Sequence, residues 1–233
     1  MEEPSLRTSV GFNDYTVRDI LAGRKTQMRF PCDITINGNQ PVDHKIALVP
    51  HFPKENMYGP CVDFYGDNKP FLEKSSQIDR QLYFIGAAQQ PFNIGDEIYV
   101  RETIGYGYYA AFGQKTFYKA DYPDEKPNFV ARWVPAANMP KDEARIFLKI
   151  SDIGVQRLQD ISLEGCKCEG IWDVYKTYNE EYHQLLQKHS YPKLFHAIWD
   201  EKWSKKKNGI YSWDNNPWVW VVSFETTNIL SSK

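Results

Sequence analysis

The chain has 233 residues, with 28 Lys and Arg against 30 Asp and Glu, a formal net charge of -2, and 15% aromatic residues. That length can bury a substantial core in one large domain or two small ones. Near-balanced charge excludes a protein that binds nucleic acid through bulk positive charge, while leaving room for a local basic groove.

Taken in order, residues 1–9 are polar and expected to fray. From Asn13 to Ala22, Val17, Ile20 and Leu21 recur at helical spacing, with Asn13 or Asp14 as N-cap. Gly23 reads as the left-handed residue that stops this helix, because a residue without Cβ adopts that conformation cheaply. Arg24, Lys25 and Arg29 then project from a basic turn. Prolines and Asn-Gly or Gly-Asp turns chop residues 31–90 into short extended pieces, read as a loop-rich insertion with one or two hairpins. Its candidate strands are Ile34 with Ile36, Ile46 to Val49, and Leu82 to Ile85.

Asn93-Ile-Gly-Asp96 is a turn feeding Glu97-Ile-Tyr-Val-Arg101, whose alternation suits a half-buried strand. The strand runs into Arg101-Glu102-Thr103, three polar groups where the chain emerges from a sheet. Tyr108 to Gly113 reads as a flexible aromatic loop and Thr116 to Ala120 as a short strand. In the next strand Ile146, Leu148 and Ile150 share one face, and a second extended piece spans Val155 to Leu158. Ser162 caps a helix that ends near Glu169-Gly170. Glu164 complements the dipole of the first turn. Glu169 lies at the opposite end, where negative charge is locally unfavourable and needs a partner or a task.

Residues 172–190 read as helical and tyrosine-rich. Tyr191, Leu194, Phe195, Ile198 and Trp199 draw a firm apolar helix face. Lys202 and Lys205 to Lys207 form a basic loop that reads as a solvated linker rather than a phosphate contact. The stretch from Trp213 to Glu225 reads as a strong strand whose alternating faces both carry bulky residues, as a central strand does. Cys166 and Cys168 are separated by one residue, too tight for a redox or zinc CxxC half-site. The histidines make no compact ligand pattern, so no metal is expected, and no glycine-rich loop after a strand suggests a nucleotide cofactor. No apolar run is long enough to cross a membrane. Without a signal-peptide pattern, the expectation is a cytoplasmic protein with free thiols.

The order of these pieces resembles the ASCH-domain family, relatives of the PUA and EVE/YTH RNA-binding barrels, and more closely the long ASCH-like proteins of phages and prophages. The segments that carry the resemblance are Ile20 to Arg29, Gly95 to Thr103, Met139-Pro with Ala144-Arg-Ile146, Arg157 to Ile161, Glu169-Gly-Ile171 and Asn216-Pro-Trp-Val-Trp220. It implies an α+β fold, a small partly open β-barrel with flanking helices and a cleft. The chain would be a single domain over 1–233, with a core of 10–30 plus 92–225 and the insertion at about 31–90. Some members of the superfamily are N4-acetylcytidine amidohydrolases, and others are proposed RNA binders or ribonucleases. The amidohydrolase pattern is Gly-x-Lys-x-x-Thr-x-Arg, with a later glutamate. Gly23 and Lys25 match it and Glu169 falls on the glutamate, while Met28 and Phe30 occupy the threonine and arginine positions.

Amide hydrolysis needs an activated nucleophile, a proton shuttle and donors for the oxyanion. The resemblance assigns Lys25 and Glu169 to this chemistry, and Glu102, at its strand end, is a second carboxylate candidate. Arg24, Thr26, Arg29, Arg101 and Thr103 are candidate substrate contacts. Without a threonine at 28, the attacking group would be a water activated by Lys25 and Glu169. The competing readings are a non-catalytic module for RNA or a modified nucleotide, an RNA-cleaving relative, and a simple ion pair closing the cleft. Tyr106, Tyr108, Tyr109 or Phe30 could stack a base of single-stranded RNA. The expected partner is therefore a nucleoside or single-stranded RNA, with no membrane involved.

Overall fold

The computed structural model describes residues 8–36, 40–41, 48–51, 61–67, 82–109, 113–171 and 191–229. The fold is α+β. Its main sheet is mixed, in the order β1-β8-β12-β13-β2. These strands are β1 (Thr8–Gly11), β2 (Gln27–Pro31), β8 (Glu97–Arg101), β12 (Ile146–Arg157) and β13 (Trp218–Ile229). β1 runs parallel to β8, and the other neighbours are antiparallel. An antiparallel sheet of β9 (Ile104–Tyr109), β10 (Gly113–Tyr118) and β11 (Trp133–Val134) continues from β8.

Within the stretch expected to be a loop-rich insertion lies a third sheet, in the order β4-β3-β7-β6-β5. It comprises β3 (Thr35–Ile36), β4 (Gln40–Pro41), β5 (Leu48–His51), β6 (Cys61–Asp67) and β7 (Leu82–Gln89). The region is thus more regular than its prolines suggest. β6, which pairs along its whole length with β7, carries no alternation strong enough to be read from sequence. The helix expected over 172–190 falls outside the described residues, as does the centre of the Tyr108–Gly113 loop. Tyr108 itself belongs to β9 rather than to that loop.

β13 is the strand on which both layers rest. It lies between β12 and β2, and its alternation buries residues on both faces. Trp220, Val222 and Phe224 enter a core with Met28, Ile98, Ile146, Leu148 and Ile150. Val219, facing the other way, packs with Leu158, Ile161, Cys166, Leu194, Phe195 and Trp199. These last residues come from α2 (Leu163–Cys168) and α3 (Tyr191–Trp203), with the turn before α2. Each fully buried aliphatic side chain contributes about 1.5–3 kcal/mol, so a strand filling two cores anchors both helices against the sheet. β12 extends through what reads as two separate pieces, Ile146 to Ile150 and Val155 to Leu158. Register shifts at Phe147/Leu148 and Ile150/Asp152 let one strand bend through both.

α1 (Asp14–Leu21) starts as its sequence dictates, with Asn13 Oδ1 accepting from Thr16 N at 3.1 Å. At its end Gly23, with φ +69°, donates to Ile20 O, while Arg24 N donates to Asp19 O. That pair of bonds is the Schellman termination. The Lys25 amide also reaches Asp19 O at 3.0 Å, so the helix end fixes where Lys25 leaves it. No helix among the described residues is long and apolar enough to cross a membrane.

Candidate functional site

Two backbone segments meet where α1 and α2 end. Thr26 N donates to Cys168 O at 2.9 Å, and Lys25 and Glu169 form an isolated antiparallel bridge. The approach is close because Gly170 follows. Its φ is +70°, and a Cβ there would lie 2.6 Å from Lys25 Cβ and 2.9 Å from Asp19 Cβ. Ser162 begins α2 as expected, its hydroxyl accepting from Gly165 N, and Glu169 is the C-terminal cap.

The misplaced carboxylate has two partners. Lys25 Nζ donates to Glu169 Oε2 at 3.0 Å and to the Glu169 carbonyl oxygen at 2.8 Å. Arg29 Nη1 donates to Oε1 at 2.7 Å. All three side chains are nearly sequestered, at 5%, 3% and 10% exposure for Lys25, Arg29 and Glu169. Two cations around one carboxylate also offset the unfavourable end of the α2 dipole.

Arg29 reaches this cluster because residues 27–31 form a strand, not the turn expected from the sequence. Strand alternation sends Gln27 and Arg29 to one side and Met28 and Phe30 to the other. Met28 is buried in the main core and Phe30 packs against it, edge-on to Phe92 with ring centroids 5.9 Å apart. The positions that align with the threonine and arginine of the amidohydrolase pattern therefore face the core. A guanidinium is present in the cluster all the same, supplied by Arg29.

The cluster lines a cavity of about 340 Å³, at the lower end of the range for small-molecule sites. Its walls are aromatic, from Phe12 and Tyr15 on one side of the chain and Phe195, Trp199 and Trp203 of α3 on the other. Lys25 Nζ sits 5.6 Å from the centre of the Phe12 ring. Lys202 also lines the cavity. Although its surface is largely exposed, protein packed around the amine lowers its pKa, and the positive charge of Lys25 pushes the same way while Glu169 opposes. The Cys166 thiol, near Arg29, is pushed up to about 11 by burial against the opposing pull of that guanidinium. It is therefore not a thiolate nucleophile near neutral pH.

The other sequence candidates lie outside the cavity lining. Glu102 is 1% exposed and bound bidentate by Arg145, at 2.8 and 2.9 Å. Arg145 also holds Asp121 and lies 4.0 Å from the Tyr118 ring centre. Arg24 reaches back to Asp19 Oδ1 at 2.6 Å. The Thr26 side chain is exposed. Arg101 Nη1 donates to Ala137 O, and the Thr103 carbonyl accepts from Lys119 N. Of the tyrosines proposed to stack a base, Tyr106 packs in the small third core and Tyr108 is exposed. The side chain of Tyr109 is outside the described residues.

Sequence reasoning missed Phe12, Tyr15 and Trp203 as walls and Lys202 as a lining cation. The apolar face of α3 was visible, but core packing and a cavity wall use the same residue types. The chain matches no protein-family model, no curated protein and no solved structure at a significant level.

Proposed function

We propose that the Lys25–Arg29–Glu169 cavity binds a nucleoside, free or within single-stranded RNA, and hydrolyses an amide on its base, as in N4-acetylcytidine. The observation that carries this is a buried Lys–Glu pair forming one wall of an aromatic-lined cavity of nucleobase scale. Aromatic walls suit a flat base, and the buried charges would sit against its exocyclic substituent. The mixed five-stranded sheet, the three-stranded sheet and the helices packed on them are compatible with a partly open barrel of the PUA and ASCH type.

In this reading, water attacks the acyl carbonyl carbon and Glu169 takes its proton. Two of the Lys25 N–H bonds are committed to Glu169 oxygens, leaving the third for the developing oxyanion. Collapse breaks the C–N bond, and the proton passes to the leaving N4, releasing cytidine and a carboxylic acid. No protein nucleophile is required, so the absence of a hydroxyl at Met28 is no obstacle.

A second reading, binding without turnover, is favoured by the full engagement of both Glu169 oxygens with cations. Incubation with N4-acetylcytidine separates the two. Release of cytidine that is lost in Lys25→Ala and Glu169→Gln supports hydrolysis. Saturable binding without release leaves the binding module. Absence of both removes the nucleoside reading.

A further inference from the structure

Among the residues that line the cavity, the cations Lys25, Arg29 and Lys202 outnumber the carboxylates Glu169 and Glu201. Lys25 and Arg29 already share Glu169. The C-terminal end of α3 then adds Lys202, whose Nζ lies 5.2 Å from the centre of the Trp203 ring. Lys206, in the turn after α3, places its Nζ 4.1 Å from the same ring. Two ammonium groups thus gather on one indole, and that indole is part of the cavity wall.

Among the described residues no carboxylate neutralises either lysine. Lys207, next along the chain, is taken up by Asp33 at 2.6 Å, but no ion pair or hydrogen bond joins Lys202 or Lys206 to another described residue. Glu201 lines the cavity too and pairs with neither. The crowding has a cost that falls on Lys202: burial, then Lys25, then Lys206 disfavour its charged form, with Glu169 the opposing influence. Like charges held together beside an open cavity are relieved by an anion, and a phosphate accepts from several N–H donors at once.

We propose that Lys202 and Lys206, gathered on Trp203, form a phosphate subsite at the cavity mouth, so that the ligand is a nucleotide rather than a bare nucleoside. The base would lie among the aromatic walls against Lys25 and Glu169, with its phosphate at the α3 end. This rests on the nucleoside reading for the base half of the site, while the anion half stands on the lysine geometry alone. The basic run that reads from sequence as a solvated linker becomes the part of the molecule that distinguishes a phosphorylated ligand.

Titration with cytidine, cytidine 5′-monophosphate and ribose 5-phosphate tests the subsite, using calorimetry and NMR of the lysine side chains. The expected result is about tenfold tighter binding of the monophosphate than of cytidine, as one charge-assisted contact supplies. The ratio should fall towards one in Lys202→Ala/Lys206→Ala, and the Lys202 pKa should rise on binding. Both lysines are exposed, so the double variant keeps its core, which thermal unfolding checks. Equal affinity for cytidine and its monophosphate, with Lys202 unmoved, would overturn the subsite and leave the nucleoside reading standing. Ribose 5-phosphate binding that depends on Lys202 and Lys206, with no response to cytidine, would support the subsite and remove the nucleoside reading.

Discussion

Two buried charge clusters in this molecule are built from the same parts to opposite effect. At the meeting of α1 and α2, Lys25 and Arg29 enclose the Glu169 carboxylate. Beyond the end of β8, Glu102 and Asp121 flank one guanidinium, that of Arg145. The first has an excess of cations and opens on a cavity with aromatic walls. The second has an excess of carboxylates, and the Tyr118 ring lies against its cation. Burial and ion pairing are common to both, so neither property marks a site by itself. Adjoining space and the sign of the surplus charge separate them.

If the Arg145 cluster is purely structural, removing its cation should cost more stability than any change at the cavity. Arg145→Met leaves Glu102 buried without a partner, a loss of about 3–5 kcal/mol for a broken buried pair. Urea unfolding measures it. A loss below 1 kcal/mol would mean that water enters and that the cluster is less sealed than its 1% exposure at Glu102 suggests. The cavity cluster should behave the other way, with function more sensitive than stability. Lys25→Ala should lower any amidohydrolase rate on the order of 10²-fold, the lower range for a positioned proton-transfer or charge-stabilising group. A stopped assay of cytidine release from N4-acetylcytidine reads this. Equal rates in the variant and the parent would detach Lys25 from the chemistry.

The sequence shows some of this site and hides the rest for identifiable reasons. Gly23 is readable because a left-handed φ at a helix end selects glycine, and its Schellman bonds place Lys25. Glu169 stands out because a carboxylate at a helix C-terminus is locally unfavourable, which directs attention to distant cations. The face of β2 is harder to read. None of the five residues from Gln27 to Pro31 is β-branched, and the polar–apolar alternation from Gln27 to Phe30 is too short, directly after a glycine-ended helix and a basic turn, to select a strand on its own. With a turn, Arg29 has no defined direction; with a strand, it shares a face with Gln27 and opposes Met28. Arg145 as the partner of Glu102 could not be found from local pattern, since 43 residues separate them. The insertion sheet shows the same limit, because pairing of β6 with β7 is a long-range choice.

The strand face yields a sharper test of where the pattern positions lie. Met28→Thr and Phe30→Arg would restore the residue types of the amidohydrolase pattern. On the geometry here neither restores anything. Met28 is 3% exposed in the main core beside Val222, its cross-strand neighbour. A threonine there removes apolar volume and buries a hydroxyl, costing on the order of 2 kcal/mol. Thermal unfolding together with the cytidine-release assay decides it: the expected result is lower stability with no gain in rate. A rise in activity in Met28→Thr without loss of stability would place residue 28 in the cavity and overturn the assigned register of β2.

The smallest effect concerns pH and separates burial from pairing at Glu102. Burial raises its pKa, and the Arg145 hydrogen bond and charge pull it down without cancelling the rise. The folded protein therefore holds this proton more tightly than the unfolded chain does. The stabilisation is fully present below the ordinary carboxylate value of 4.5, and it is lost as pH rises through the shifted value. Other carboxylates titrate over the same range, so the measurement is the difference in unfolding free energy between parent and Glu102→Gln across that window. That difference should move against the parent as pH rises. In the Arg145→Met background the opposing pull is absent, and the decline should extend to higher pH. Movement in the parent's favour would mean that pairing with Arg145 outweighs burial, making this cluster a source of stability at neutral pH rather than a tolerated charge.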